Sequence, residues 1–205
     1  MSVEESNLQN VIAPESEAPE SHKRNNYLHW DDYFMATSIL SAKRSKDPVT
    51  QVGACIVDSQ NRIVAIGYNG FPRNCSDDEF PWSKAKKSSD DYDPLEDKTM
   101  YVVHAEANAI LNSNGASLTG TRLYTTLFPC NECTKLIIQS GIAQILYLSD
   151  KYAEKPKYRA SKRMLDAVGV EYKKHQPRQN EIIIDFDNFL QEDPNSSLGL
   201  NDLQL

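Results

Sequence analysis

The sequence predicts an α/β fold, a three-layer α/β/α sandwich on a mixed, roughly five-stranded sheet. Three observations carry this. Strand and helix signals alternate along residues 30–173, the first two strands are joined by a short polar turn, and two ligand-bearing motifs each fall at a helix start. A hairpin supplies an antiparallel pair and crossover helices supply parallel pairs, so a single sheet built from both is mixed and lies between helical layers.

Taken in order, 30–44 reads as a helix because Trp30, Tyr33, Thr37 and Leu40 recur near helical spacing, and Pro48 bars its continuation. Residues 51–58 and 62–68 are β-rich runs joined by Ser59-Gln60-Asn61, a polar hairpin turn. A helix within 100–112 carries His104 and Glu106 near its start. Residues 122–128 form a strand, 130–140 a helix ended by Gly141, and 144–148 a strand. A helix at 159–168 stops near Gly169, and 170–173 adds a short strand.

The chemistry lies in His104-Ala-Glu106 and Pro129-Cys130-Asn-Glu-Cys133. Structural zinc is usually closed by four protein ligands, whereas catalytic zinc keeps one position for water. No fourth Cys or His lies near this set, so His104, Cys130 and Cys133 read as ligands of a catalytic Zn²⁺. Two thiolates and a neutral imidazole offset the ion's charge and leave it acidic enough to activate water near neutral pH. Glu106 then serves as proton carrier to a ring nitrogen and to departing ammonia, and the pattern H-x-E…P-C-x-x-C is the general signature of zinc-dependent nucleobase deaminases. The Cys-x-x-Cys spacing at a helix start turns both sulfurs toward one ion, and the helix dipole favours their thiolate forms. Neither half is specific alone, since His-x-Glu is common on surfaces and Cys-x-x-Cys also serves redox and structural sites. Together they discriminate.

With 205 residues and 40% hydrophobic content, the chain can bury one continuous core, expected at 27–190. Residues 1–26 and 191–205 are polar and poor in large apolar side chains, so burial there cannot offset the entropy of ordering, and both are expected to be disordered tails. The charged stretch 83–98, with Pro94, reads as an inserted surface loop, and its acidic part, 90–97, as solvated. No segment is long and apolar enough to span a membrane, and residues 1–26 have neither a hydrophobic signal core nor the low acidity of a mitochondrial presequence. The expected location is cytoplasmic, with the nucleus as an additional one. Four cysteines, two of them in the metal motif, do not suggest a disulfide framework. Cys55, inside an apolar run, reads as core; Cys75, in a polar loop, reads as a free thiol, with a second metal site as the lesser alternative.

Longer segments support a family resemblance: Ser45-Lys-Asp-Pro48, Gln51-Val-Gly-Ala-Cys55, Gly67-Tyr-Asn-Gly-Phe-Pro72, Cys75-Ser-Asp-Asp78, His104-Ala-Glu106 with Asn108, Leu127-Phe-Pro-Cys-Asn-Glu-Cys133, Ser149-Asp-Lys-Tyr152 and Ile183-Ile-Asp-Phe186. On these, the chain from Trp30 to about Phe186 resembles the deoxycytidylate (dCMP) deaminase family of the cytidine deaminase-like superfamily. The resemblance implies zinc-dependent hydrolysis of dCMP to dUMP and ammonia, feeding thymidylate synthesis. It also implies a homohexamer, activated by dCTP with Mg²⁺ and inhibited by dTTP. On the same basis Asn69, Ala105 and Tyr152 are substrate-binding, and Gly67, Tyr68, Asn69 and Gly70 form the allosteric nucleotide loop. Without the resemblance, residues 67–70 read only as a strand end and turn, and Tyr152 as a rim residue.

A monophosphate requires cations; Arg44, Lys46 and Lys151 stand beside element ends and are candidates, although each by itself reads as a solvated surface charge. Residues 83–98 and 112–115 look variable within the family, so no contacts are carried over there. A nucleic-acid deaminase would need a basic groove. The net charge of −7, the pI of about 5.1 and Phe128 before Pro129, where the tRNA enzymes usually carry Glu, oppose that reading. A free-nucleoside cytidine deaminase would typically place Cys at the position of His104. A noncatalytic zinc-stabilised binding module would leave Glu106 without a use.

Overall fold

The computed structural model describes residues 23, 25, 27–84 and 93–187. The expected tails at 1–26 and 191–205 fall almost wholly outside these residues, as does the middle of the 83–98 insertion. A compact unit spans Leu28–Ile182.

Nine elements build it: α1 (Trp30–Ala42), β1 (Gly53–Val57), β2 (Ile63–Tyr68), α2 (Ala105–Leu111), β3 (Arg122–Leu127), α3 (Asn131–Gln139), β4 (Gln144–Ser149), α4 (Pro156–Val168) and β5 (Glu171–Lys174). The sheet order is β2-β1-β3-β4-β5. β1 pairs antiparallel with β2 and β3, and the β3–β4 and β4–β5 pairs are parallel, which is the expected mixed five-stranded sheet.

Alternation along the strands sorts the two faces. Ala54, Ile56, Leu123 and Ile145 pack with Ala105 and Ala109 of α2, Cys133 and Ile137 of α3, and Tyr158 and Leu165 of α4. Cys55, Val57, Tyr124 and Leu146 face the other way, onto Phe34 and Met35 of α1. Cys55 is fully buried, as its apolar run suggested, and burial pushes its thiol up to about 12, so it packs as an inert apolar group.

Several boundaries and one face differ from the sequence expectations. Trp30, Tyr33 and Leu40, the apparent apolar stripe of the first helix, are 52%, 41% and 56% exposed. The buried face is Phe34, Met35, Ser38, Ser41 and Ala42. Its small residues allow close approach to the sheet: a Cβ on Gly53 would lie 1.8 Å from the Ser38 carbonyl oxygen, and the Ser38 hydroxyl donates to the Tyr124 carbonyl at 3.1 Å. The helix expected within 100–112 does lie there, at Ala105–Leu111 with His104 as its N-cap, and a short 3₁₀ turn at Lys98–Met100 precedes it. Helix α4 starts at Pro156, three residues earlier than expected, because proline is well placed in a first helical turn. Ile183, Ile184 and Phe186 join no strand and are exposed.

Candidate metal centre and catalytic pocket

Both ligand motifs arrive at helix N-termini on the α2–α4 side of the sheet. His104 is the N-cap of α2 and Cys130 the N-cap of α3, and neither side chain caps its own helix, so both are free to turn toward each other. Cys133 follows in the first turn of α3. The His104 Nδ1 lies 3.3 Å from the Cys130 Sγ and 3.3 Å from the Cys133 Sγ, and the three ligand atoms fall within 4.8 Å of one another. A tetrahedral zinc with ordinary Zn–N and Zn–S bonds separates such atoms by about 3.5 Å. The donor set therefore fits zinc, with a fourth position left for a non-protein ligand.

The electrostatics agree. A hydrogen bond from Cys133, opposed by burial and helped by His104, draws the Cys130 thiol down to about 3. The bond with Cys130 and burial push the Cys133 thiol up. A divalent ion between the two sulfurs would favour the thiolate form of each. The pocket opens onto the His104 ring although protein packs closely around it; the bond to Cys130 raises its pKa against the effect of burial. Glu106 is 4% exposed. Burial raises its carboxyl, and its Oε2 accepts from the Cys133 Sγ at 3.5 Å. A buried carboxyl whose affinity for a proton is raised in this way, beside the ligand set, is suited to proton transfer.

Close packing positions α2. A Cβ at Gly67 would come within 2.3 Å of the Ala105 carbonyl oxygen and 2.4 Å of the Ala109 nitrogen, so glycine lets the helix backbone lie on β2. Asn108 on α2 and Asn112 at its C-cap donate to the Tyr68 and Ile66 carbonyls of this edge strand at 2.7 and 3.0 Å. Gly70 and Val103 exchange both backbone hydrogen bonds, at 3.1 and 2.8 Å, which fixes the residue before His104 to the chain just after Asn69.

One pocket holds Asn69, Ala105, Tyr152, His104, Glu106 and Cys130 in its lining, so the structure brings most of the expected site residues together. Tyr68 and the two glycines of 67–70 do not line it. The Asn69 side chain is 95% buried in hydrogen-bonded surroundings: its Oδ1 accepts from the Val52 N–H at 2.8 Å and its Nδ2 donates to the Thr50 carbonyl at 3.0 Å and to the Asp47 Oδ2 at 3.4 Å. It is thus a wall-builder as well as a pocket residue. The suggested phosphate ligands Arg44, Lys46 and Lys151 all lie outside the pocket lining, and Lys46 bonds Asp77. Lys151 stands 5.0 Å from the Tyr152 ring centroid. Cys75 is half-buried and belongs to no metal-binding trio among the described residues.

Sequence reasoning missed Asp47, Lys98, Lys84, Lys155 and Lys157, all in the pocket lining. Lys98, expected on a solvated insertion, is 4% exposed and bonds the Asp47 Oδ1, which also accepts the Val49 and Thr50 N–H groups at 2.8 and 3.0 Å. Asp97 in the same insertion is also buried. Replacing Asp47 with Asn leaves the Lys98 ammonium buried without its charge partner, and a loss of about 3–5 kcal/mol in unfolding free energy is expected in denaturant titrations. A loss below about 1 kcal/mol would show that the pair does not hold this wall.

The comparisons decide the family. The "Probable deoxycytidylate deaminase" of Drosophila melanogaster is 80% identical over 98% of this chain and 99% of its own length. This chain belongs to the deoxycytidylate deaminase family. It is accordingly an enzyme, a hydrolytic deaminase. A family model described as the cytidine and deoxycytidylate deaminase zinc-binding region matches residues 28–149, which include the three candidate ligands His104, Cys130 and Cys133. The human deoxycytidylate deaminase is 49% identical over 81% of this chain and 90% of its own. A cyanophage S-TIM5 dCMP deaminase, solved in complex with dCMP and dUMP, superposes with a TM-score of 0.54 at 25% identity, covering 75% of this chain and 100% of that one. The matched region thus contains the pocket lining apart from Tyr152, Lys155, Lys157 and Tyr158.

Proposed function

We propose that this deaminase converts dCMP and water to dUMP and ammonia. The observation that carries the reading is the trio of His104, Cys130 and Cys133, with His104, Cys130 and the buried Glu106 opening onto one pocket. The named activity of the deoxycytidylate deaminase relatives, and the dCMP and dUMP bound by the cyanophage enzyme, supply the substrate class.

His104, Cys130 and Cys133 would hold the zinc. When bound, it supplies an activated water at neutral pH. Glu106 would carry protons from that water to the ring nitrogen next to the amino-bearing carbon and to the departing amine. Val52, Leu127 and Phe128 line the pocket with apolar surface that excludes bulk water and strengthens these interactions. Ala105 occupies the first turn of α2, where the backbone N–H has no intrahelical partner and is free for a pyrimidine carbonyl. Asn69 and Tyr152 contact the rest of the nucleotide.

The regulation belongs to the same proposal: dCTP with Mg²⁺ activates through residues 67–70, dTTP inhibits, the enzyme works as a cytoplasmic homohexamer, and its dUMP feeds thymidylate synthesis. The Gly70–Val103 pairing supports the first of these, because a nucleotide on that loop would bear on the residue preceding His104. Turnover of dCMP, CMP and deoxycytidine by the zinc-loaded chain, with and without dCTP–Mg²⁺ and dTTP, tests the whole set. The expected preference is for dCMP, by about a hundredfold over deoxycytidine. No dCMP turnover in the presence of dCTP–Mg²⁺ would overturn the activity; rates indifferent to both effectors would overturn the regulation alone.

A further inference from the structure

We propose that Asp47 and Lys98 are positioning residues: their buried ion pair sets the Asn69 side chain at the nucleotide and locks the end of the 83–98 insertion into the pocket wall. This rests on the dCMP reading above, in which Asn69 contacts the nucleotide, and adds two residues that act through it.

The Lys98 and Asp47 side chains are 4% and 5% exposed, yet both residues line the pocket that holds His104 and Glu106. Among the described residues the Lys98 ammonium bonds only Asp47. Taking two charges out of water costs about as much as their attraction returns, and apolar side chains of similar size in their place are often neutral or stabilising. Net stability therefore does not account for an ion pair here. What charges supply and apolar groups lack is direction, since a carboxylate fixes where its donors must stand.

Asp47 applies that direction to Asn69. Its Oδ1 accepts from Lys98 and from the Val49 and Thr50 N–H groups at 2.8 and 3.0 Å, while its Oδ2 accepts from the Asn69 Nδ2 at 3.4 Å. An amide side chain has a donor end and an acceptor end. Asp47 and the Thr50 carbonyl stand at the donor end of Asn69 and the Val52 N–H at its acceptor end, so one orientation alone satisfies all three. The Ser45 hydroxyl fixes the backbone of the same residue, donating to the Asn69 carbonyl at 2.8 Å and accepting from the Asp47 N–H at 3.3 Å.

These bonds also close a ring. The Lys98 carbonyl accepts from the Tyr101 and Val102 N–H groups, each at 3.0 Å, and the next residue, Val103, pairs with Gly70. Gly70 adjoins Asn69, which leads back through Asp47 to Lys98. The Lys98 N–H donates to the Ser83 carbonyl at 2.9 Å and the Ser83 hydroxyl to the Glu96 carbonyl at 3.2 Å, so the base of the insertion belongs to the same ring. The ion pair is the link that joins the insertion to Asn69.

The test compares the zinc-loaded full chain with its Asp47→Asn/Lys98→Met variant, which removes both charges yet leaves an acceptor for the Val49 and Thr50 N–H groups. The double variant is expected to melt close to the wild type and to keep one zinc. Its calorimetric affinity for dUMP should fall about tenfold, and KM for dCMP should rise by the same factor while kcat changes less than about threefold. Asn69→Ala supplies the readout that a merely structural pair would not move. In that background, removing the pair should weaken dUMP binding by less than about twofold further, because the group it positions is gone. Losses that multiply, or a stable double variant with wild-type dUMP affinity, overturn the inference. Should the double variant not fold, Lys98→Met alone, in which Asp47 keeps its donors from Val49, Thr50 and Asn69, goes through the same cycle with the same two outcomes. A wild-type chain that binds dUMP but turns over no dCMP overturns the proposed activity, and the affinity cycle still decides this inference.

Discussion

Glu106→Gln is expected to lower kcat on dCMP by about 10³- to 10⁴-fold while the chain keeps one zinc. The amide preserves the size of the side chain and its place in the first turn of α2, but it cannot carry a proton between water and the ring. Burial already disfavours a charged Glu106, so removing the ionisable group costs the fold little. Metal content by atomic absorption and single-turnover rates separate the possibilities. Loss of zinc would make Glu106 a ligand, and a change in kcat below tenfold would assign proton transfer elsewhere.

The largest effect on the fold is expected from Gly67→Ala. The added methyl would meet the α2 backbone at 2.3–2.4 Å, and a helix backbone cannot yield as a flexible side chain does. Overpacking ordinarily costs about 1–3 kcal/mol and more where nothing can move; here about 3 kcal/mol or more is expected, a fall in Tm of about 10 °C. Because α2 begins at Ala105, directly after His104, displacement should also weaken zinc binding. Thermal unfolding with and without a chelator would measure both. A stable, zinc-replete variant altered only in its dCTP response would instead assign Gly67 a purely regulatory role.

These two residues differ in how readily a sequence exposes them. Glu106 is legible because its partners in the motif are local and chemically specific. Gly67 is visible as part of a Gly-Tyr-Asn-Gly run, but its reason for being glycine is a contact with Ala105 and Ala109, about forty residues away. Asn69 is similar: its side chain holds Val52, Thr50 and Asp47 in place, a duty that local sequence does not disclose.

The first helix shows a second kind of limit. Apolar spacing correctly marked a helix, yet it selected the wrong face, because Trp30, Tyr33 and Leu40 point outward while Ser38, Ser41 and Ala42 face the sheet. Periodicity measures spacing, and close approach to Gly53 requires small residues rather than large apolar ones. Charge behaved likewise. Lys98 looked like part of a solvated insertion, but its partner Asp47 lies 51 residues earlier and the pair is buried.

By itself, then, the sequence determined the chemistry and the layered fold. Ligand types, their spacing at helix starts, and the order of strand and helix signals are properties of neighbouring residues, and such properties are written in order along the chain. Only the tertiary structure decided which face of α1 is buried, why residue 67 is glycine, and which charges are neutralised and which stand open at the pocket. Each depends on groups distant in sequence meeting at a few ångströms. Burial and Coulomb energy are set by that meeting rather than by either residue's local surroundings.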